Sequence, residues 1–337
     1  MKKIGYYLKR LFAMNYAKMI TVVNKVHKRS GKSRIKIFID MIQCSTKYLA
    51  GYMDYYVFCF EDLTEEQRKT FITRGVNNAY IKTLNHREFY DKFDNKVTFN
   101  QLFEPFLKRD FLDLTASSFE EFTTFVQKHP SFIVKPINLQ CGKGIEKITV
   151  DDNIDLSSLR KHLLETGQTL VEEFVVQANK MNQLYPTSVN TLRIVTARIY
   201  HKTTVLFRAI RIGNGGNVVD NFNHGGMYSI LDENGVITKP AIDKEGTIYE
   251  NHPFTKTPIV GFQVPFFQEA IAMVKEASGI VEEVGLVGWD IAITEQGPVM
   301  IEGNQLPGYD IYQSKIHLNE GNTGMKPYFD EVIYGRE

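Results

Sequence analysis

The sequence has few cysteines, no histidine pair at metal-binding spacing and no long apolar run. Its 337 residues include three cysteines, Cys44, Cys59 and Cys141, without a CxxC pair. This spacing supports neither a zinc knuckle nor a disulfide framework and is typical of a reducing cytoplasm. No HxxxH or HxH pair occurs among the eight histidines. No apolar stretch approaches the roughly 20 residues that span a bilayer, so the sequence argues against an integral membrane protein.

The charge balance also narrows the function classes. A net charge of +1 predicts no nucleic-acid partner. A composition of 43% hydrophobic and 23% charged residues is ordinary for a soluble globular protein. We find no internal repeat, no low-complexity tract and no GxxxxGK[ST] loop, and the length indicates two or three subdomains.

The most informative segment is GWDIAITEQGPVMIEGNQLPG, residues 288 to 308. Two apolar runs, around Asp290 to Ile293 and Pro298 to Glu302, flank a turn at Glu295-Gln296-Gly297, which predicts a β-hairpin. Pairing these strands would bring Asp290 near Glu302. Residues two apart on a strand share a face, so Glu302 and Asn304 would point the same way. Three oxygen ligands on one face predict a magnesium site completed by nucleotide phosphates, with a solvated surface hairpin as the alternative.

A second feature lies upstream in FIVKPINLQCGKGIEKI. An apolar strand ends at Lys135, and a loop with Gly142, Lys143 and Gly144 follows. Glycines let backbone amides approach anionic oxygens, and a lysine at a strand end supplies a positive charge. The pattern fits a cover over phosphates, although a plain hairpin loop would have the same composition.

A third feature is the strand Thr169 to Val171, which continues into Glu172, Glu173, Phe174 and Val175. This pattern suits a hinge that offers backbone groups and an apolar wall to a purine. The order of the pieces, with Lys96 before them and the metal segment after them, resembles the ATP-grasp superfamily over roughly residues 90 to 310. The predicted fold class is therefore α/β (α+β), an ATP-grasp fold preceded by a basic helical arm.

Within the superfamily, MNQLYPTSVNTLRIVTARI and DNFNHGGMYSILDENG look most like the sugar-transfer-associated branch, also described as teichuronopeptide-synthesis-like. Proteins of that branch are associated with bacterial cell-surface polysaccharide assembly. A second parallel is with glutathione synthetase and the ribosomal-protein glutamate ligases, where an arginine precedes Asn-x-x-x-Gly-Gly by ten residues. Arg211, Asn221, Gly225 and Gly226 fit that spacing.

The resemblance implies a role for each matching position. Lys96 and Lys135 would contact nucleotide phosphates, and the loop from Gly142 through Lys143 to Gly144 would close over them. Adenine would be held by Glu172, Glu173, Phe174 and Val175, and two magnesium ions by Asp290, Glu302 and Asn304. Arg211 and Asn221 would face the transferred phosphoryl group and the accepting carboxylate, and Arg193 is a second arginine for that position.

One position departs from the pattern of D-alanine ligases, which carry an arginine two residues before the metal aspartate. Here that position is Gly288. Another cation must replace it, and Arg193, Arg208 and Arg211 are available. The ribose contact is open among Gln177, Asn179 and Asn182.

The activity implied is an ATP-dependent carboxylate-amine ligase that works through an acyl phosphate. It would join an amine or amino acid to a sugar acid or peptide in cell-surface polysaccharide or natural-product biosynthesis. Catalysis would rest on positioning and on neutralising negative charge. Two alternatives stay open: a kinase-like phosphotransferase, which needs no amine, and a non-catalytic nucleotide-binding factor for polysaccharide assembly.

The first 36 residues contain eleven lysines and arginines and no acid. Apolar residues recur at helical spacing and predict an amphipathic basic helix from about residue 3 to 29, ended by Ser30-Gly31. Its apolar face either packs on the domain or lies on an anionic inner membrane leaflet, and packing is favoured. We therefore expect a cytoplasmic protein, with peripheral membrane contact through residues 1–36 as the alternative.

The predicted organisation has three parts. Residues 1–95 would form the basic helix and a small α/β pre-domain, with a strand at Tyr55 to Phe60 and a helix at Thr64 to Arg74. Residues 96–176 would form the nucleotide-covering subdomain, with helices near 117–129 and 156–166 and strands at 131–135 and 145–150. Residues 177–337 would carry the central sheet, a helix at 265–278, the metal site and a C-terminal cap.

Overall fold

The computed structural model describes residues 15–137, 144–151, 153–215 and 225–335. Two compact units make up the chain. The first combines Met1–Thr83 with Gly308–Glu337, and the second is Leu84–Pro307. The tail after Gly308, predicted as a cap on the central sheet, thus belongs to the same unit as the N-terminal residues. The three-part division stays a prediction.

The first unit is helical. Its α-helices are α1 (Tyr16–Ser30), α2 (Arg34–Lys47), α3 (Tyr52–Val57), α4 (Glu65–Lys69), most of α5 (Arg74–Leu84) and, near the C-terminus, a helix at Lys326–Tyr334; 3₁₀ turns lie at Phe60–Asp62 and Lys315–His317. Helix α1 begins where the Asn15 side chain accepts a hydrogen bond from Lys18 N at 3.0 Å. It ends at Gly31, whose φ of 68° lies in the left-handed region. The predicted end of the basic helix is confirmed, while residues 3–14 of the prediction lie outside the described residues.

The apolar face of α1 is buried. Met19, Val22, Val23 and Val26 pack in one cluster with residues of α2 and α3. The packing interpretation is therefore confirmed for the described part of this helix. Among the described residues, no helix is both long and apolar enough to cross a membrane.

The strand predicted at Tyr55 to Phe60 is wrong, because this segment is α3 followed by a 3₁₀ turn. The Asp54 carboxylate accepts hydrogen bonds from the backbone of Gly51 at 2.7 Å and of Arg74 at 2.9 Å, which secures the start of α3. Tyr55 and Phe60 are then buried among other aromatic rings. Tertiary packing thus overrides the strand preference of aromatic residues. Of the helix predicted over 64–74, only α4 (Glu65–Lys69) forms, and α5 begins at the last predicted residue, Arg74. Residues 15–95 contain no strand of either sheet.

The second unit contains two antiparallel sheets. The four-stranded sheet has the order β1-β4-β2-β3 and the seven-stranded sheet the order β11-β10-β5-β6-β7-β8-β9. The strands are β1 (Phe111–Asp113), β2 (Ser131–Lys135), β3 (Glu146–Thr149), β4 (Leu170–Glu173), β5 (Thr191–Ile199), β6 (Lys202–Ile212), β7 (Met227–Ile230), β8 (Ala241–Asp243), β9 (Ile248–Tyr249), β10 (Leu286–Thr294) and β11 (Gly297–Asn304). Helices and antiparallel sheets together confirm the predicted α+β class.

Short and medium helices connect and cover these sheets. They are α6 (Asp91–Asp94), α7 (Lys96–Leu102), α8 (Glu104–Leu107), α9 (Phe119–Lys128), α10 (Leu156–Thr166), α11 (Asn179–Asn182) and α12 (Phe267–Ala277), with a 3₁₀ turn at Arg87–Phe89. The helix Lys326–Tyr334 of the first unit is numbered α13. The helices predicted near 117–129, 156–166 and 265–278 correspond to α9, α10 and α12. Residues of α9 and α10 pack with β2 and β4 in one apolar cluster.

The β10–β11 hairpin is anchored by Trp289, the only tryptophan. Its indole is fully buried, donates to Thr196 Oγ1 at 2.9 Å and packs against Phe93 and Phe103. A Cβ atom at Gly303 would lie 3.0 Å from the Trp289 ring, so only glycine fits beside it. Because neighbouring residues on a strand point to opposite faces, this packing turns Asp290 and Glu302 to the other side of the sheet.

Candidate active site

The hairpin places its acids as the sequence predicted. Asp290 pairs with Glu302 and Gly288 pairs with Asn304 across the two strands. The register shifts directly after Asp290, since Ile291 pairs with Met300 and leaves Ile301 as the extra residue of a bulge. Asp290, Glu302 and Asn304 therefore share one face of the sheet. Two carboxylates and an amide in this arrangement supply the hard oxygen donors that Mg²⁺ prefers.

Two arginines, on the adjacent strand β5 and on the next strand β6, bind the Asp290 carboxylate. Arg193, opposite Asp290 on β5, donates from Nε to Oδ1 at 2.6 Å and from Nη2 to Oδ2 at 2.8 Å. Arg211 on β6 donates from Nη1 to Oδ2 at 2.9 Å. These three hydrogen bonds occupy most of the lone-pair positions of the carboxylate, and the Glu302 carboxyl group lies within hydrogen-bonding reach of it as well.

The strand register shows which of the three candidate arginines lie on the face of the acid pair. A Cβ at Gly288 would lie 3.3 Å from Nη1 of Arg193, so this guanidinium fills the space beside the glycine. Arg211 shares the Arg193 face, because Ala209 pairs with Arg193 and lies two residues from Arg211. Arg208 pairs with Ile194 and lies on the opposite face. Of the three arginines considered, Arg193 and Arg211 are at the site.

The acids differ in their electrostatic surroundings. Burial would raise the pKa of Asp290, but the charges of Arg193 and Arg211 outweigh it and hold this pKa below its usual range. Glu302 is exposed to solvent as a residue, but many protein atoms surround its carboxylate. Desolvation and the nearby Asp290 carboxylate raise its pKa. An additional cation would relieve the repulsion between the two carboxylates, so the pair fits a metal site on its donor set and charge.

A buried ionic network lies beside this hairpin. Lys135 at the end of β2 donates to Glu172 Oε2 at 2.5 Å, and Asn100 donates to Glu172 Oε1 at 2.8 Å. Arg109 donates to Glu172 Oε2 at 3.3 Å and to the carbonyl of Ile301 at 3.2 Å, and it also contacts the carbonyl of Met300. These positive charges outweigh desolvation and place the pKa of Glu172 well below its usual range.

Lys96 belongs to the same electrostatic cluster. It is the first residue of α7, and both its backbone N and Nζ contact the carbonyl of Ile137, at 3.4 and 3.3 Å. Burial lowers the pKa of Lys96, Glu302 acts in the opposite direction, and the neighbouring ammonium of Lys135 lowers it further. The structure therefore brings both predicted phosphate-contacting lysines within electrostatic range of the acid pair.

The predicted adenine segment continues from β4. Both carboxylate oxygens of Glu172 accept hydrogen bonds within the buried network. Glu173 Oε2 accepts a hydrogen bond from the backbone N of Asp110 at 3.1 Å. The Phe174 ring lies under Lys147 Nζ, 3.8 Å from its centroid. Phe174 and Val175 are half-buried. Any purine contact from this segment would thus use backbone groups and the apolar side chains rather than Glu172.

Three predicted residues, Gly142, Lys143 and Asn221, lie outside the described residues. Gly144 is described and has a φ of 71°, a conformation that favours glycine. Its carbonyl accepts a hydrogen bond from Gln168 Nε2 at 3.0 Å. Of the amides considered for the ribose, Gln177 is buried and bonded to Asn182, Tyr185 and Ser188, so it holds the fold locally.

Sequence reasoning missed Arg109 and Asn100. Both are buried and contact Glu172. No local pattern marks them, because Arg109 follows a lysine in an ordinary basic pair and Asn100 lies within a helix of mixed composition. Only the fold shows that they meet one carboxylate from two separate segments.

The sheets and the acid pair define an ATP-grasp protein. The model of the family described as sugar-transfer associated ATP-grasp matches residues 75–321. The chain belongs to this family. Among curated proteins, none matches the chain.

Several solved structures are similar to the chain at low identity. The ATP-grasp ligase PsnB with its minimal precursor has 10% identity and a TM-score of 0.44, over 75% of this chain and 64% of that one. D-Alanyl-alanine synthetase A from Vibrio cholerae has 13% identity and a TM-score of 0.42, over 72% of this chain and 65% of that one. An ADP complex of N5-carboxyaminoimidazole ribonucleotide synthetase has 16% identity and a TM-score of 0.41, over 66% of this chain and 48% of that one. The chain thus spans about half to two thirds of the length of these structures.

Proposed function

We propose that the protein is an ATP-dependent carboxylate-amine ligase that works through an acyl phosphate. The observation that carries the proposal is the pairing of Asp290 with Glu302 on adjacent strands, with Asn304 on the same face and Arg193 forked onto Asp290. Metal-ligand oxygens and arginines on one sheet face are what transfer of a phosphoryl group to a carboxylate requires.

Asp290, Glu302 and Asn304 would hold two magnesium ions, which neutralise charge on the transferred phosphoryl group. Leu306 N already donates to the Asn304 side-chain oxygen at 2.9 Å. This bond orients the amide and leaves its second lone pair for a metal. The protein thus supplies few ligands, as Mg²⁺ sites completed by nucleotide phosphates do.

Lys96 and Lys135 would contact the ATP phosphates, with the loop of Gly142, Lys143 and Gly144 closing over them. Glu172 orients Lys135 through the 2.5 Å ion pair and therefore acts on the nucleotide through that lysine. The backbone of Glu173 to Val175 and the Phe174 side chain would receive adenine. Because Lys147 lies over one face of the Phe174 ring, a base would have to stack on the other face.

In the reaction, a carboxylate oxygen of the substrate attacks the terminal phosphorus of ATP and ADP leaves. The amine then attacks the acyl carbon, inorganic phosphate leaves with the electron pair of the C–O bond, and the nitrogen loses a proton to the departing phosphate. Arg193 and Arg211 would hold the acyl phosphate while Asp290 fixes their guanidinium groups, and Asn221 would face the accepting carboxylate. The substrates proposed are an amine or amino acid and a sugar acid or peptide of cell-surface polysaccharide or natural-product biosynthesis. The proposed location is the cytoplasm, with peripheral membrane contact through residues 1–36, outside the buried apolar face of α1, as the alternative.

The first experiment compares the wild-type protein with Glu302→Gln, which keeps the side-chain volume but removes the charge. Each is incubated with Mg²⁺, ATP and pooled carboxylic acids, with and without pooled amines, and ADP and phosphate are measured. Glu269→Gln is the matched control, because Glu269 is exposed on α12. We expect amine-stimulated ADP release from the wild type and the control, reduced on the order of a thousandfold in Glu302→Gln.

Two outcomes would contradict the ligase proposal. ADP release that depends on an acid or alcohol but never responds to amine would identify a kinase-like phosphotransferase. ATP binding by all three proteins without any ADP release would favour a nucleotide-binding assembly factor. Equal activity of Glu302→Gln and wild type would remove Glu302 from the metal site.

A further inference from the structure

One side of α2 points away from the core and carries large apolar side chains. Ile35 is 73% exposed and Ile39 is 50% exposed. Because they are four residues apart, they lie on the same side of the helix. The opposite side is the buried one and includes Ile37, Met41 and Cys44. The two isoleucines therefore add nothing to the core of the first unit.

The surroundings of these isoleucines are cationic. Lys32, Arg34 and Lys36 are all exposed beside them. The first 39 residues of the chain contain no acid. Asp40, the first one, is held by Arg68, which donates to its two carboxylate oxygens at 2.8 Å each. Asp62 lies within electrostatic range of Lys32 but is paired with Lys315 at 2.9 Å. Arg34 Nε donates to Asn24 Oδ1 of α1 at 2.8 Å, so this cation has a neutral partner.

A cavity of about 460 Å³ opens next to the same side of α2. It is lined by cations, hydrogen-bond donors, apolar groups and the Asp40 carboxylate that Arg68 pairs, namely Lys32, Ser33, Lys36, Ile37, Ile39, Asp40, Gln43 and Tyr55. The Tyr55 hydroxyl already donates to Asp40 Oδ2 at 2.8 Å, and Lys32 Nζ already donates to the carbonyl of Glu61. The donors for a ligand therefore come from Lys36, Ser33, Gln43 and the other N–H groups of Lys32. Ammonium, hydroxyl and amide donors around a small cavity suit the oxygens of a phosphate ester.

We propose that the exposed surface around Ile35 and Ile39, with the flanking cations Lys32, Arg34 and Lys36 and here called the α2 face, docks on the surface of an anionic lipid bilayer. Ile35 and Ile39 enter the boundary between headgroups and acyl chains, the cations contact lipid phosphates, and the cavity receives one headgroup. This differs from the sequence-based alternative, in which the apolar face of α1 would lie in the membrane. That face is buried in the core.

Charge and area favour a bilayer over other occupants. Nucleic acid would match the cations but offers no apolar layer to the isoleucines. A stable protein interface typically buries roughly 800 Å² per partner around aromatic anchors, and the α2 face has two isoleucines. Shallow insertion of a few apolar side chains with electrostatic support is sufficient at a membrane surface. The proposal is independent of the ligase activity.

The test is sedimentation of the full-length protein with vesicles of phosphatidylcholine alone or of a two-to-one mixture with phosphatidylglycerol. We expect binding to the anionic vesicles only, with a partition coefficient that falls as salt is added. Arg34→Gln and Lys36→Gln should each lower that coefficient about fivefold. Ile39→Ser should lower it as well, at unchanged net charge.

Matched controls lie in the second unit. Lys275→Gln removes an exposed cation of α12, and Ile248→Ser removes an isoleucine that is 51% exposed on β9. Neither should change vesicle binding. A further variant, with Lys2, Lys3, Lys9 and Arg10 all changed to glutamine, tests the charge that precedes α1. Circular dichroism confirms that each variant is folded.

Three results would overturn the proposal. Wild-type protein that stays in the supernatant with both vesicle types has no lipid-docking face. Equal losses in Ile39→Ser and Ile248→Ser would show a non-specific apolar effect. Binding that is kept in the α2 variants but lost in the variant of residues 2–10 would place the contact before α1. None of these outcomes depends on ATP turnover, which is measured separately.

Discussion

Arg109 and Glu172 form a buried ion pair at 3.3 Å that joins the two sheets of the second unit. Glu172 lies on β4 of the four-stranded sheet, next to Lys135. The same guanidinium reaches the carbonyls of Met300 and Ile301 on β11 of the seven-stranded sheet. Ile301 is the bulged residue just before Glu302. One side chain thereby connects the proposed phosphate-contacting lysine with the strand of the proposed metal ligands.

We expect Arg109→Met to destabilise the second unit strongly. The change leaves Glu172 buried with one cation fewer and leaves two carbonyls without their donor. Removal of one partner of a buried pair typically costs about 3–5 kcal/mol. Denaturant unfolding followed by the fluorescence of Trp289 measures the loss. Arg208→Met is the control, because Arg208 is half-buried on β6 and faces away from the site. A loss no larger than that of the control would contradict the linking role of Arg109.

Asp290→Asn should remove turnover while the fold remains. The amide keeps the shape of the carboxylate but offers one oxygen to a metal and cannot accept the fork of Arg193. We expect a loss on the order of a thousandfold in turnover. Chelation of Mg²⁺ should abolish wild-type turnover reversibly, and added Mg²⁺ should not restore the variant. Asp91→Asn, at an exposed position of α6, should behave as wild type. Full activity of Asp290→Asn would exclude Asp290 as a ligand.

Gly288→Ala tests the place of the Arg193 guanidinium. The added Cβ would lie 3.0 Å from Pro307 Cβ and 3.3 Å from Arg193 Nη1, so the guanidinium must shift by a few tenths of an ångström. We expect turnover about tenfold to a hundredfold lower, because small misplacements of a positioned group are costly. Gly321→Ala, whose Cβ would meet nothing closer than 3.4 Å, is the control. Unchanged turnover in Gly288→Ala would argue against a reaction role for Arg193.

Asp40 should make the first unit sensitive to acid. Burial alone would raise the pKa of Asp40, but hydrogen bonds from Arg68 and Tyr55 outweigh it and lower this pKa. Since the folded pKa lies below the unfolded value of about 3.9, the stabilisation is complete above about pH 5 and is lost as the pH falls below about 4. Asp40 is partly exposed, so we expect only about 1 kcal/mol.

Amide hydrogen exchange of peptides from α1 to α3 measures this effect. Asp40→Asn should exchange faster than wild type at pH 7, and the difference should disappear near pH 3. Glu320→Gln, at an exposed position of the same unit, should match wild type at both values. A difference that persists unchanged at pH 3 would show that the ionised carboxylate is not its cause.

The hairpin and its neighbouring helices could be predicted from sequence because their signals are local. The alternation around Asp290, the turn at Glu295 and the two-residue spacing of Glu302 and Asn304 follow from strand periodicity. Helix α10 (Leu156–Thr166) has the predicted bounds, and Asp155 caps its start while Gly167 ends it. The end of α1 at Gly31 follows from the same helix-stop rule.

Other features depend on packing among distant segments. The aromatic run from Tyr55 to Phe60 has strand propensity, but its burial with Phe71 in a helical unit decides its structure. The single helix predicted over 64–74 was too long for a related reason, since Phe71 and Ile72 after α4 are buried outside any helix. Composition alone cannot tell which apolar residues will meet one another.

The sequence by itself determined the family, the acid pair of the hairpin and the cationic character of the first 39 residues, because these depend on residue type and short spacing. Only the tertiary structure decided that Arg193 stands opposite Asp290, 97 positions away along the chain, and that Arg109 reaches β11. It also decided that α1 is buried while the α2 face is exposed. Contacts of this kind come from the registry of strands and the packing of helices, and no local pattern encodes them.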